Sequence, residues 1–296
     1  MILLGIISAL WAAEGDYIRG QELPNYNLNL LHTSMDSKRL ILNEETALLY
    51  KKSTWFRIGF RGQGAALSYI PFERDQVDLV ASQGGVDIIL GHTFKKLRVA
   101  ALLPFYVNAI EGSFIAPGDI NVDLKYNFLS RKFWGYGIAL SARAIVPTGP
   151  KEAALSDDGV HVETTAIFEK NLGRTVLAAN LGFRTQNSTT YENFTWGNHL
   201  KLGAGLSIPI DLDLESLNMG SDFSSGVSAE VATRTQVASI LTEDATITEL
   251  GVAGWLSGKF NGLENDLMLK AGGTYSLTET PGSTGMRIIL DATYKF

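Results

Sequence analysis

The chain has no cysteine at any of its 296 positions. That absence removes disulfide frameworks, zinc–thiolate and iron–sulfur sites and thiol nucleophiles together. Charge is sparse too: Asp, Glu, Lys and Arg make up 19% of residues, below the quarter usual in globular proteins. The balance of 25 basic to 31 acidic residues gives a formal charge of −6, without the basic excess of a nucleic-acid binder. No nucleic-acid partner is therefore expected. Beyond Gly15 no run of about 18 apolar residues occurs, which excludes a membrane-spanning helix. What is present is 45% apolar content with 30 glycines, too apolar for disorder.

Residues 1–11 read MILLGIISALW, too short for the ~20 residues of a spanning helix. With Ala13-Glu14-Gly15 as a small-x-small cleavage site, residues 1–15 are expected to be a secretory signal peptide, although no Lys or Arg precedes the run. The alternative is a buried first element. Residues 16–25 (DYIRGQELPN) are polar and turn-prone, and are expected to hang in the periplasm or fold inward as a plug.

Alternation governs the rest. Ile120, Val122, Leu124, Tyr126 and Phe128 interleave with Asp119, Asn121, Asp123, Lys125 and Asn127. Residues 134–147, 199–210 and 286–296 repeat the pattern, which gives strands with one apolar and one polar face. Strands of soluble proteins usually run about five or six residues, whereas these run roughly ten to fourteen, the length a tilted strand needs to cross a bilayer. Aromatics lie toward the strand ends, among them Trp55, Phe128, Trp134, Trp255 and Tyr294, as in the girdles of membrane barrels. Open edges are forbidden in hydrocarbon, so the sheet must close. The expected fold is an all-β transmembrane antiparallel up-and-down barrel over residues 26–296.

Connections alternate between short turns and longer loops, which sets the termini on the periplasmic side of a bacterial outer membrane. The connection over residues 211–224 is longer than such a turn and could hold a small periplasmic element. Thirteen strands are read between residues 40 and 296. Even parity then favours fourteen, with residues 26–33 as the added strand, or twelve if residues 40–50 are not a strand.

The C-terminal Tyr294-Lys295-Phe296 resembles the terminal aromatic signal through which barrels meet their assembly machinery, with Ile289 and Asp291 where that signal has other residues. Gly118-Asp119-Ile120, Leu124-Lys125-Tyr126, Ile145-Val146-Pro147-Thr148-Gly149, Asp158-Gly159 and the stretch from Leu177 to Arg184 carry a second likeness. Over residues 48–210 the chain is similar to barrel domains of myxobacterial-type OmpA-family proteins and to phenol-degradation (MetA-pathway) transporter-like barrels. The resemblance implies an outer-membrane location and a channel, transport or structural role, with small hydrophobic solutes among the cargo. The peptidoglycan-binding domain of those OmpA-family members has no counterpart here, so cell-wall anchoring is not carried over. The implied partners are outer-membrane lipid and lipopolysaccharide, the barrel-assembly machinery and an envelope protein.

By alternation the lumen receives Arg98, Asp119, Asp123, Lys125, Arg143, Glu163, Arg184 and Lys201, together with Arg57, Arg61, Asp87, His199, Lys270, Arg287 and Asp291. Asp119, Asp123 and Lys125 beside Arg98 and Arg143 form the densest group. Mixed signs do not make an ion-selecting ring. They suit either a salt-bridge ladder or a constriction that touches a solute. His161 lies near Asp157 and Asp158, but no second acid pair faces them, so no catalytic residue is assigned and no enzyme is expected. No metal-binding spacing of His appears, and no cofactor is expected. The glycines of Gly203-Ala204-Gly205 open no helix after a strand, and read as places of close backbone approach rather than a phosphate loop. Two roles remain: a passive channel or transporter for small solutes, or a structural barrel with a filled lumen.

Overall fold

The computed structural model describes residues 33–50, 52–69, 77–110, 112–150, 156, 159–187, 189–191, 194–212, 220–237, 246–260, 263, 265–278 and 285–296. The signal-peptide segment, residues 16–25 and residues 26–32 of the expected added strand lie outside the described residues.

The strands are β1 (Ser53–Tyr69), β2 (Val77–Thr93), β3 (Leu97–Ile110), β4 (Gly112–Pro117), β5 (Ile120–Leu129), β6 (Tyr136–Val146), β7 (His161–Leu172) and β8 (Thr175–Thr185). They continue with β9 (Thr189–Tyr191), β10 (Phe194–Trp196), β11 (His199–Ile210), β12 (Gly220–Gln236), β13 (Thr246–Phe260), β14 (Leu267–Ser276) and β15 (Met286–Lys295). Each wall strand pairs antiparallel with its neighbour, and β1 pairs both β2 and β15. Twelve strands therefore close a ring. β4 folds back on the far half of β3, while β9 and β10 form a separate hairpin within a loop.

The count is twelve, the alternative, and not the favoured fourteen. Residues 40–50 form no strand; they run inside the barrel with no regular secondary structure. The physical reason is visible in Asn43, Glu44, Glu45 and Thr46, four consecutive polar residues that are all buried. A wall strand there would have put every second one into lipid.

The burial pattern is inside-out relative to a soluble protein. Leu90, Leu124, Phe128, Leu140, Phe168 and Leu181 are exposed, whereas the charged residues expected in the lumen are buried. Only a hydrocarbon surround makes this arrangement favourable. Three features depart from the alternation reading. Trp55 and Trp255 turn inward rather than joining the girdle, because an indole N–H needs an acceptor that lipid lacks. Trp55 donates to Thr93 Oγ1 at 3.2 Å, and Trp255 to Ser207 Oγ at 3.2 Å. Trp134 belongs to no strand: Arg131–Trp134 form a single helical turn, α1, ended by Gly135 at φ 72°, a left-handed cap that glycine takes without strain.

The short turns between successive wall strands lie at one end, the turn end, where the chain enters β1 and leaves β15. There Phe296 N–H donates to the Thr54 carbonyl at 2.9 Å. Tyr294 and Phe296 meet edge to face, with centroids 5.4 Å apart, and Phe296 is exposed.

The closing seam can be tested directly, since the chain supplies no thiol of its own. Ile58 and Ala292 are register partners across β1 and β15 on the outer face. Ile58→Cys with Ala292→Cys should be joined by a short bismaleimide, changing migration of the heated protein on a denaturing gel. Ile58→Cys with Leu124→Cys should not be joined. A seam pair that fails to react would argue against closure at β1–β15.

Candidate functional site

Strand parity delivers the candidate residues to one surface. Arg98, Asp119, Asp123, Lys125, Arg143, Glu163, Arg184 and Lys201 are all buried within the barrel. Register then sets their neighbours: Asp123 lies opposite Arg143, Arg143 opposite Glu163, and Glu163 opposite Arg184. The result is a band of alternating sign across β5, β6, β7 and β8. Arg98 and Asp123 form an ion pair, and Arg143 Nε donates to Asp123 at 3.1 Å. Glu163 accepts from Lys201 at 3.2 Å and from Arg234 at 2.9 Å. Asp119 sits at the loop end, where it accepts backbone N–H groups of Thr148 and Gly149 at 3.1 and 3.2 Å.

Within this wall lies the chain's own segment, residues 33–50. A chain with no regular structure carries unpaired N–H and C=O groups, and burying them without partners is costly. The wall supplies the partners. Glu230 on β12 accepts the backbone N–H groups of Ile41, Leu42 and Asn43 at 2.5, 3.0 and 2.9 Å, and the Asn43 amide at 3.1 Å. Asn180 on β8 pairs with Glu44 as a second backbone would, accepting its N–H at 2.9 Å and donating to its carbonyl at 3.1 Å. Lys270 donates to the Ser37 and Leu40 carbonyls at 2.9 and 3.0 Å, and Arg57 to Ser34 at 2.5 Å.

Ion pairs add to these bonds. Lys125 pairs with Asp36, stands 3.6 Å from Glu44, and donates to the Glu45 carbonyl at 2.8 Å. Arg98 reaches Asp36 at 3.6 Å, Arg143 reaches Glu44 at 3.5 Å, and Arg39 reaches Glu169 at 3.4 Å. The expected dense group is therefore partly a docking surface: three of its cations hold acids of the inner segment. Apolar anchoring comes from Met35 and Leu49, which pack with Trp55, Ile89, Ala100, Leu102 and Met268, and from the buried Leu40, Ile41 and Leu42.

Glycines make the room. A Cβ on Gly203 would overlap the Asn43 side chain, one on Gly137 would overlap Thr46, and one on Gly205 would press on Leu40. Close approach is the role that the sequence assigned to Gly203 and Gly205, and what approaches is the inner segment.

Sequence reasoning missed Glu230, Arg234, Glu169 and Glu249, all buried in the lumen. The signal was available for two of them: Ser228, Glu230, Ala232 and Arg234 alternate with Val227, Ala229, Val231 and Thr233 along β12. His161 faces the lumen and is buried, while Asp157 and Asp158 lie outside the described residues.

Gly203→Val should push the inner segment off the wall. Trypsin cleavage at Lys38 and Arg39 should then accelerate roughly tenfold, equivalent to about 1.4 kcal/mol of docking free energy. Gly254→Ala, where a Cβ meets nothing within 4 Å, should leave cleavage slow. Equal rates in both variants would mean that the segment does not depend on this contact.

No protein-family model and no curated protein matches the chain. Among solved structures it is similar to the COG4313 outer membrane channel from Pseudomonas putida F1, with a TM-score of 0.60 and 15% identity over 86% of this chain and 99% of that one. The NanC porin follows at TM-score 0.48 and 7% identity, covering 82% of this chain and 100% of that one. LpxR from Salmonella typhimurium gives 0.43 and 11%, over 81% and 100%. At 15% identity the likeness to the COG4313 channel shows the fold: the chain is an antiparallel twelve-stranded barrel of the outer-membrane kind.

Proposed function

We propose that the protein is a bacterial outer-membrane channel for small solutes whose lumen is closed by its own segment, residues 33–50, with the turn end facing the periplasm. The carrying observation is how that segment is held. Its contacts are mostly backbone bonds to wall side chains and ion pairs, and it shares no strand pairing with the barrel. Net contributions of about 0.5–1.5 kcal/mol per neutral hydrogen bond, and about 1.5–3 for those to charged groups, can be broken and remade singly. A barrel of eight strands is filled by its side chains and one of sixteen leaves a channel; twelve leave room for a removable peptide. The fold shared with a protein described as an outer membrane channel supports this reading.

The wall that the segment leaves behind is polar and of mixed sign. It suits small polar solutes better than the hydrophobic cargo implied by the resemblance, since an apolar solute gains nothing from charged walls. In this reading the protein acts as a conduit rather than as an enzyme; His161, at the loop end of β7, is buried. The density of bonds to the inner segment favours a second reading, a structural barrel whose lumen stays filled.

Planar-bilayer recording separates the two. The full chain should be closed for most of the record. Glu230→Ala leaves three backbone N–H groups without their acceptor and should raise open probability about tenfold, at ~1.4 kcal/mol. In that open state Arg143→Gln should shift ion selectivity toward cations. Silence both in Glu230→Ala and in a chain lacking residues 33–49, each confirmed folded by heat-modifiable migration, would establish the structural barrel instead.

A further inference from the structure

The chain is acidic overall, yet one arc of its turn end is basic. Lys95 and Lys96 occupy the turn between β2 and β3, Lys132 the turn between β5 and β6, and Lys170 the approach to the turn between β7 and β8. All four are exposed and form no ion pair among the described residues. Of the described acids of the turn end, Glu169 beside Lys170 is buried in the lumen, 3.5 Å from Arg131, while Asp211 pairs with Arg174 at 2.6 Å and Asp266 stands 3.7 Å from Lys295. The Arg174 hydrogen bond also holds the Asp211 carboxyl below its ordinary range.

These three turns are joined into one surface. Asn127 N–H donates to the Lys96 carbonyl at 2.8 Å, and Asn171 N–H to the Gly135 carbonyl at 2.8 Å. Arg131 then donates to the Asn171 side chain at 2.6 Å. The short helical turn α1 pushes two rings beyond the strand ends, Phe133 at 76% exposure and Trp134 at 62%, and Phe94 projects beside Lys95 at 50%. Exposed aromatic rings interleaved with unpaired lysines, at the level where a barrel leaves hydrocarbon, match one surround. Rings sit at the headgroup boundary, and lysine stems lie along acyl chains with their ammonium groups among phosphates.

We infer that this arc is a binding surface for anionic phospholipid in the leaflet that meets the turn end, with Lys95, Lys96, Lys132 and Lys170 contacting headgroup phosphates and Phe94, Phe133 and Trp134 seated at the headgroup boundary. The assignment is independent of whether the lumen conducts. It orients the barrel by charge: the arc draws the turn end toward phosphatidylglycerol-type lipid.

The test is native mass spectrometry of the full folded chain in detergent, mixed with equal amounts of phosphatidylglycerol and phosphatidylethanolamine of the same acyl composition. Phosphatidylglycerol should be retained preferentially. The combined variant Lys95→Gln, Lys96→Gln, Lys132→Gln and Lys170→Gln should lose that preference, each lysine near an anionic surface accounting for up to about fivefold. Phe133→Ala with Trp134→Ala should lower retention of both lipids alike, and Lys259→Gln, outside the arc, should change neither. Equal retention of the two lipids by the natural chain would overturn the inference, as would a preference surviving in the four-lysine variant. Capture of an acidic envelope protein by the lysines, without phosphatidylglycerol enrichment, would also overturn it.

Discussion

Peptide groups must find hydrogen-bond partners where water does not reach, and this constraint organises the whole barrel. In hydrocarbon a strand with an unpaired edge is too costly, so the sheet runs on until β1 meets β15. The same constraint operates a second time inside the ring. Residues 33–50 have no ladder of their own, so their buried N–H and C=O groups are met partly within the segment, as where Met35 N–H donates to Glu44, and largely by side chains of the wall. Glu230 answers for three consecutive N–H groups, and Asn180 for one complete peptide edge. Closure of the sheet and seating of the inner segment are thus two solutions to one problem, the first by backbone and the second largely by side chains.

The two solutions differ in permanence. A ladder of wall hydrogen bonds is cooperative and breaks only with the barrel. The bonds from wall to inner segment are separate, and most involve a charged group whose loss leaves its partner buried and uncompensated. Lys125 illustrates the consequence: it serves Asp36, Glu44 and the Glu45 carbonyl together, so displacing the segment exposes a cation to the lumen. Arg98 and Arg143 keep Asp123 as a partner after such displacement. These two cations therefore keep a partner in the wall whether or not the segment is present.

Much of this was legible along the chain because period two survives any detail of packing. Which residues of β5 face the lumen follows from alternation alone, and Asp123, Lys125 and their neighbours lie where alternation puts them. Residues 40–50 were not legible. Leu40, Ile41, Leu42, Leu49 and Tyr50 are as apolar as a strand's outer face, and only the polar run over residues 43–46 distinguishes them. The parity of Trp55 and Trp255 was equally obscure, since an indole suits both a membrane boundary and a polar interior.

The sequence by itself determined the class of the molecule. Long alternating strands without cysteine or an apolar helix admit a barrel in lipid, because every strand must divide its residues between two opposite environments. The tertiary structure alone decided how many strands close the ring and what occupies the space within it. Strand number depends on whether a segment finds better partners in the wall or in the lumen, and those partners come from strands far away in the chain: Glu230 lies nearly two hundred residues from the peptide groups it holds. No local pattern records a contact of that range. It exists only once closure has brought β8, β12 and β14 around the same few peptide groups.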